Sequence, residues 1–183
     1  KLVHADFLKY ESGVKYDKAV SNLPYYCASE ILFKIIEDYN PGIIVIMLQK
    51  EMAERILSRA GDDSYGALTA SVSLSYAAEN VMSVAADNFY PAPDVKSAVL
   101  KLIRKNSVFT KEERILFRTV VKSAFWGRRK RIQKSLSDSP HMNIEKNRVM
   151  NALEKSGIDP DKRAEEISPE EFMNIARAII EKQ

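Results

Sequence analysis

Residues 43–48 read Ile-Ile-Val-Ile-Met-Leu, an unbroken apolar run in which four of the six side chains are β-branched. Such a run is typical of a strand that is covered on both faces, as in the sheets of α/β proteins. Asn40-Pro41-Gly42 precedes the run and ends a helix predicted at residues 29–39. A second helix is predicted at about residues 50–60, so the alternation of elements favours an α/β fold.

The pattern of elements changes near residue 105. Upstream, further strands are predicted at residues 2–4, 17–21, 81–86 and 97–103, and a further helix at 67–78. The last two strands flank a proline-rich loop and are expected to form an antiparallel pair at the sheet edge. Downstream, only helices are predicted, at residues 111–125, 129–137, 145–156 and 169–182. We therefore predict an α/β domain with a mixed sheet at residues 1–105 and an all-helical domain at residues 106–183.

Composition excludes several classes of protein. Hydrophobic residues make up 45% of the 183 residues, which suits a packed core. The run at 43–48 is far shorter than the roughly 20 residues that cross a bilayer, so no membrane association is expected. The single cysteine, Cys27, excludes an internal disulfide and suits a reducing cytoplasm. His4 and His141 are far apart in sequence, and no metal site is predicted.

Asn22-Leu23-Pro24-Tyr25 directly follows the strand predicted at 17–21. The sequence fits a loop that prepares the exocyclic amine of adenine for methyl transfer. This amine is a poor nucleophile, because its lone pair is delocalised into the ring. The amide oxygen of Asn22 and the carbonyl of Leu23 or Pro24 could accept its N–H groups and aim the lone pair at a methyl donor. Proline keeps the loop rigid, and Tyr25 offers a face for stacking. An ordinary turn of the same composition is the alternative interpretation.

Two later motifs favour the first interpretation. Residues 89–99 match the pattern F-x-P-x-P-x-V-x-S-x-V, and residues 125–131 read Phe-Trp-Gly-Arg-Arg-Lys-Arg. Between them and the first motif lie Gln49, Glu51, Ala53, Arg55, Tyr65, Gly66 and Leu68. In order and spacing, this set resembles the rRNA adenine dimethyltransferases, the KsgA family, which dimethylates two neighbouring adenosines near the 3′ end of small-subunit rRNA. The resemblance covers nearly the whole chain.

The resemblance implies that residues 1–105 are the C-terminal part of a Rossmann-like methyltransferase domain and that residues 106–183 form an rRNA-binding domain. Residues 1–8 resemble the family's fourth strand, where an Asp, here Asp6, contacts the adenine of the cofactor S-adenosylmethionine. The chain has 6 glycines and no G-x-G-x-x-G cluster. It is therefore expected to be a fragment that lacks the first βα units and most of the cofactor site, and to be inactive by itself.

The family's site residues match one set of positions in this chain. The resemblance implies catalytic roles for Asn22, Leu23, Pro24, Tyr25 and Phe89, with the target base held between the two aromatic rings. Asp6 and Asn22 would contact S-adenosylmethionine. A core position for Phe89 and an ordinary turn at Asp6 are the structural alternatives.

Positive charge is concentrated in the C-terminal part. Residues 105–183 carry 17 basic and 12 acidic side chains, against 11 and 13 in residues 1–104. Residues 114–137 contain eight Lys or Arg and no acid. Arg114, Arg118 and Lys122 share one helix face, and Arg128, Arg129, Lys130 and Arg131 follow them. We predict that this set contacts phosphates of small-subunit rRNA within a ribosomal precursor; a solvated helix face is the alternative.

Three other functions remain open from the sequence. The macrolide-resistance enzymes that methylate large-subunit rRNA share the Asn22 motif. A DNA adenine methyltransferase fits less well, because the second proline-rich motif and the helical part have no role there. A non-catalytic RNA-binding or transcription-factor relative is the third. Trp126 either stacks on RNA or anchors a helix, and the protein is expected to be a monomer.

Overall fold

The computed structural model describes residues 2–106, 109–127 and 129–181. The chain forms two compact units. The first, the sheet unit, comprises residues 1–57 and 75–105, and the second, the helical unit, comprises residues 58–74 and 106–183. Residues 58–74 thus group with the C-terminal helices. The functional division into residues 1–105 and 106–183 stays a prediction.

The sheet unit is built around four strands in the order β1-β2-β4-β3. They are β1 (Lys18–Asn22), β2 (Ile43–Gln49), β3 (Tyr76–Val84) and β4 (Ser97–Arg104). Strands β1 and β2 run parallel, whereas β4 is antiparallel to both β2 and β3. A 3-10 turn (Tyr25–Cys27) leads into helix α1 (Ala28–Lys34), which continues as a π turn (Ile35–Tyr39), and helix α2 (Lys50–Leu57) follows β2.

Strand β2 lies inside the sheet, as its apolar run predicts. Ile44, Ile46 and Leu48 have no exposed surface, and the residues that alternate with them are half-buried. Burying one such side chain contributes about 1.5 to 3 kcal/mol. The antiparallel pair predicted around the proline-rich loop is also present, with β3 at the sheet edge and a bulge between Asn80 and Met82.

The helical unit packs its helices around one apolar core. The helices are α3 (Ala67–Ser75, all but its last residue), α4 (Lys111–Trp126), α5 (Ile132–Ser137), α6 (Lys146–Lys155) and α7 (Pro169–Ile180). Helices α4 and α7 begin with capping boxes at Thr110 and Ser168. The core includes Phe117 and Phe172 together with Tyr65, Ala70 and Leu74 from residues 58–74.

Among the sequence predictions that differ from the structure, three have a clear physical reason. The strand predicted at residues 2–4 is wrong: the described residues before β1 contain no strand, because a strand requires a hydrogen-bonded neighbour, and Leu2 is 97% exposed. The helix predicted at 67–78 ends at Ser75, since buried Tyr76 enters the sheet and donates its hydroxyl to the Pro41 carbonyl at 2.8 Å. The helix predicted at 129–137 begins at Ile132, because Arg129 has a left-handed φ of 71°.

Candidate active site

The two predicted catalytic segments leave the sheet at the same end, called here the site end. Asn22 ends β1 opposite Met47, while Ser97 begins β4 between Gln49 of β2 and Val84 of β3. The Asn22 loop (residues 22–25) and the Phe89 loop (residues 85–96) therefore leave the sheet at the same end. Loops at the carboxyl ends of parallel strands commonly carry ligand sites in α/β folds.

The Asn22 loop is held rigidly to the sheet. The backbone N–H of Leu23 donates to the Met47 carbonyl at 3.0 Å, and the Leu23 side chain is buried. Pro24 has φ −63° and ψ 131°, and its carbonyl accepts the Cys27 N–H at 3.3 Å. The loop thus extends the β1–β2 ladder by one hydrogen bond and then turns into the 3-10 turn.

Two hydrogen-bond acceptors of this loop are not engaged. Asn22 is exposed, and its side chain makes no hydrogen bond within the described part of the chain. The Leu23 carbonyl likewise accepts none from any described residue. Because the Pro24 carbonyl already accepts the Cys27 amide, Leu23 is the better candidate for the backbone acceptor that the sequence left open between Leu23 and Pro24.

The two predicted stacking residues occupy the site end from different loops. Tyr25 is 37% exposed, and its hydroxyl lies 2.8 Å from the Ser97 Oγ. Phe89 is half-buried and donates its backbone N–H to the Ala86 carbonyl at 3.0 Å. Among the described aromatic pairs, the rings of Tyr25 and Phe89 do not contact each other. Their role in holding a base stays a prediction.

Asp6 has the contacts of a turn residue. Its carboxylate accepts the Leu8 N–H at 3.0 Å and lies 3.8 Å from the Lys9 Nζ. Nearby, an apolar groove of about 630 Å³ lies between residues 3–16, β1 and the helix that follows. Asp6 does not line this groove, and its contact with a cofactor stays a prediction.

The predicted basic face of α4 lies in the helical unit. Arg114 is half-buried, whereas Arg118 and Lys122 are exposed. Arg114 and Lys122 form no ion pair with the described residues. Cations without acidic partners are the ones best able to neutralise a phosphate.

The basic cluster after α4 is partly paired with acids. Arg128 lies outside the described residues, and Arg129 is exposed. The Lys130 Nζ is 3.5 Å from the Asp138 carboxylate and 4.6 Å from the centroid of the Trp126 ring. Arg131 forms a 2.6 Å ion pair with Asp161. Phosphate contact by the cluster stays a prediction, and Lys130 and Arg131 would have to exchange these partners to make it.

Sequence reasoning missed two kinds of residue. It did not single out Ser97, although this serine is the polar position of the F-x-P-x-P-x-V-x-S-x-V pattern. It also missed Asp138 and Asp161, which lie outside the acid-free run and reach its cations through the fold.

Over the described ranges, no helix is long and apolar enough to cross a membrane. No group of three or more described His, Cys, Asp or Glu side chains could hold a metal ion.

Comparison with solved structures defines the class of fold. A dimethyladenosine transferase from Plasmodium falciparum matches with a TM-score of 0.77 and 27% identity, covering 94% of this chain and 70% of that one. The 23S rRNA methyltransferase ErmE matches with a TM-score of 0.66 and 25% identity, covering 98% and 71%. The mixed sheet with its helices, followed by a small helical part, is thus a Rossmann-like methyltransferase fold.

Comparison of sequences defines the family. The model of the ribosomal RNA adenine dimethylase family matches residues 1–181, so the chain belongs to this family. The ribosomal RNA small subunit methyltransferase A of Myxococcus xanthus is 41% identical over 168 residues, covering 89% of this chain. The protein of the same name from a Geobacillus species is 34% identical over 191 residues, covering 98%. The chain spans 58% and 66% of the lengths of these two relatives.

Proposed function

We propose that this chain belongs to an rRNA adenine N6,N6-dimethyltransferase. The enzyme would transfer methyl groups from S-adenosylmethionine to two adjacent adenosines near the 3′ end of small-subunit rRNA during ribosome biogenesis. The observation that carries the proposal is the site end of the sheet, from which both the Asn22 loop and the Phe89 loop leave. Two acceptors of the Asn22 loop are unengaged among the described residues. The names of the two bacterial relatives support the small subunit as the target.

The Asn22 loop would orient the amine of the target adenine. The Asn22 amide oxygen and the Leu23 carbonyl would each accept one N–H, which draws the nitrogen toward a tetrahedral geometry and points its lone pair outward. The buried Leu23 side chain and the hydrogen bond from the Leu23 N–H to the Met47 carbonyl keep both acceptors in place. Such positioning can supply a large part of a rate enhancement when the reacting atoms are already aligned.

Tyr25 and Phe89 would hold the purine ring while Asn22, with Asp6, contacts the methyl donor. S-adenosylmethionine supplies an electrophilic methyl group on a sulfonium when it is bound. The amine nitrogen would form a bond to the methyl carbon in an in-line displacement, while the carbon–sulfur bond breaks and its electron pair stays on the sulfur, leaving a neutral thioether. The alkylated amine would then lose its proton to water or through the Asn22 oxygen. A dedicated general base is unnecessary, because the alkylated amine is acidic.

The helical unit would dock on rRNA in the small-subunit precursor through Arg114, Arg118, Lys122 and the cluster at residues 128–131. Lys122 and Arg129 form no ion pair with the described residues, and they support this role most directly. We also propose that the enzyme works as a monomer in the cytoplasm, where a single unpaired cysteine is compatible with the reducing conditions.

The proposal is tested in a polypeptide of the relatives' full length that contains this chain, called here the full-length enzyme. Asn22→Ala should slow the methyl-transfer step while rRNA affinity is retained, because phosphate contacts provide most of that affinity. The exposed Asn143, in the helical unit, provides the matched control Asn143→Ala. Single-turnover assays that count monomethyl- and dimethyladenosine decide the outcome. An Asn22→Ala enzyme as fast as the control would show that this loop is not the catalytic centre.

The same assay separates the aromatic residues from Asn22. Tyr25→Ala and Phe89→Ala should each lose stacking of about 1 to 3 kcal/mol. The second methylation should suffer more than the first, because monomethyladenine offers only one N–H to the two acceptors. Mapping the products on both ribosomal subunits distinguishes this enzyme from the large-subunit type that ErmE represents.

A further inference from the structure

Ser97 lies in the middle of the site end, where it begins β4 between Gln49 and Val84. Its side chain has no exposed surface. A buried hydroxyl needs a hydrogen-bond partner, and Tyr25 supplies it at 2.8 Å from a position 72 residues earlier in the chain. This hydrogen bond is the side-chain link between the Asn22 loop and the strand that follows the Phe89 loop.

The link fixes the outer end of the Tyr25 ring. The backbone fixes the inner end of the ring through hydrogen bonds on both sides of Tyr25. The N–H of buried Leu23, two residues earlier, donates to the Met47 carbonyl, and the Pro24 carbonyl accepts the Cys27 N–H. A ring held at both ends keeps one orientation without having to be ordered by a ligand. Tyr25 nevertheless remains partly exposed, so part of the ring is open to a ligand.

We propose that Ser97 is a positioning residue that holds the Tyr25 ring in the orientation in which it stacks on the target adenine. The role rests on the proposed function, since it is Tyr25 that touches the base, and Ser97 acts only through Tyr25. Loss of the hydrogen bond leaves the ring present but free to rotate. The methyl-transfer step then starts from fewer correctly oriented complexes.

Kinetics on the full-length enzyme test the role. Ser97→Ala and Tyr25→Phe each remove the same hydrogen bond, one from the buried side and one from the exposed side. Each substitution should lower kcat about threefold to tenfold, which corresponds to the free energy that one hydrogen bond usually contributes. The KM for rRNA should stay unchanged. The double variant should lose no more than either single variant, because all three lack the same interaction.

The control is Ser83→Ala, an exposed serine of β3 opposite Ala98. It should keep the wild-type kcat. A purely structural role for Ser97 predicts a lower melting temperature with unchanged kcat, and that result would overturn the proposal. Additive losses in the double variant would overturn it as well, because they would mean that Ser97 and Tyr25 act separately.

A measurement without catalysis separates this proposal from the proposed function. This measurement uses NMR of this chain, labelled with tyrosine that carries 13C at the ζ carbon. The Tyr25 resonance is identified by its loss in Tyr25→Phe. Ser97→Ala should shift this resonance and leave the resonances of the other seven tyrosines unchanged. An unmoved Tyr25 resonance would refute the link itself. A moved resonance together with an inactive wild-type full-length enzyme would refute the proposed function, and with it the positioning role, while the hydrogen bond would stand.

Discussion

Tyr65 makes a buried hydrogen bond on which the stability of the helical unit should depend. Its hydroxyl donates to the carbonyl of Ile167 at 2.8 Å, and Ile167 has no exposed surface. Burial raises the pKa of Tyr65 well above its ordinary value of 10, and the carboxylates of Glu170 and Glu171 raise it further. The folded unit therefore favours the protonated phenol.

Tyr65→Phe isolates the contribution of this hydroxyl. The ring and its packing against Phe125, 5.9 Å away between centroids, are retained. The Ile167 carbonyl loses its donor, which costs about 1 to 3 kcal/mol of unfolding free energy at neutral pH. Because the folded pKa is raised, this contribution is fully present below about pH 10. Above that pH the unfolding free energy of the wild type falls by up to about 1.4 kcal/mol per pH unit, since only the phenol of the unfolded state ionises.

Urea unfolding between about pH 7 and pH 11 measures the effect. The fluorescence of Trp126, the only tryptophan, reports on the helical unit because it lies in α4. The difference in unfolding free energy between the wild type and Tyr65→Phe should be constant to about pH 10 and then shrink. The exposed Tyr26 provides the control Tyr26→Phe, which should match the wild type throughout. A difference that stays constant over the whole range would refute the reasoning.

Three further predictions concern the helical unit. Ser123→Ala should raise the unfolding free energy by about 1 to 3 kcal/mol, since the buried Ser123 Oγ has no hydrogen-bond partner among the described residues. Glu113→Gln should flatten the loss of stability in acid. The backbone N–H of Thr110, the N-cap residue of α4, and then the Arg177 side chain lower the pKa of Glu113. The contribution of Glu113 to stability is therefore present above about pH 4.5 and is lost as the pH falls through the folded pKa. Joint replacement of Lys122 and Arg129 by Ala should reduce the slope of log affinity for rRNA against log salt by about 0.7 for each phosphate that is no longer neutralised.

Each of these predictions has its own check. Denaturant midpoints measure the first two, and a destabilised Ser123→Ala would mean that the hydroxyl has a partner after all. For Glu113→Gln, an acid transition identical to that of the wild type would contradict the prediction. Filter binding at several salt concentrations measures the third. Arg131→Ala, which removes a cation already paired with Asp161, should change the slope less than replacement of Lys122 or Arg129 does.

The fold was predictable where the sequence pattern of a segment agrees with the burial that the segment has in the fold. The run at residues 43–48 is apolar throughout because β2 lies inside the sheet, and the pattern needs no knowledge of its partners. Residues 2–4 have a strand-like composition, but strand formation depends on a neighbour that local sequence does not reveal. At Tyr76, burial and the hydrogen bond to Pro41 override the helical pattern that precedes it.

The site was predictable only as far as its motifs reach. The Asn22 and Phe89 loops are recognisable from their residues, and the sheet register explains why they leave from one end. The partner of Tyr25 lies 72 residues away, and no spacing rule connects the two. The acids that pair with Lys130 and Arg131 come from later parts of the chain, so an acid-free run in sequence is not an unpaired cluster in space.

The helical unit is discontinuous in sequence, and this affects how it can be inherited. Its core uses Tyr65, Ala70 and Leu74, which precede β3 and β4 in the chain. A genetic exchange with a crossover at residue 105 would transfer the C-terminal helices and leave these three side chains behind. Two further crossovers, at residues 57 and 74, would be needed to transfer the complete unit. Recombination between relatives is therefore expected to move the helices and the sheet together, as one heritable block.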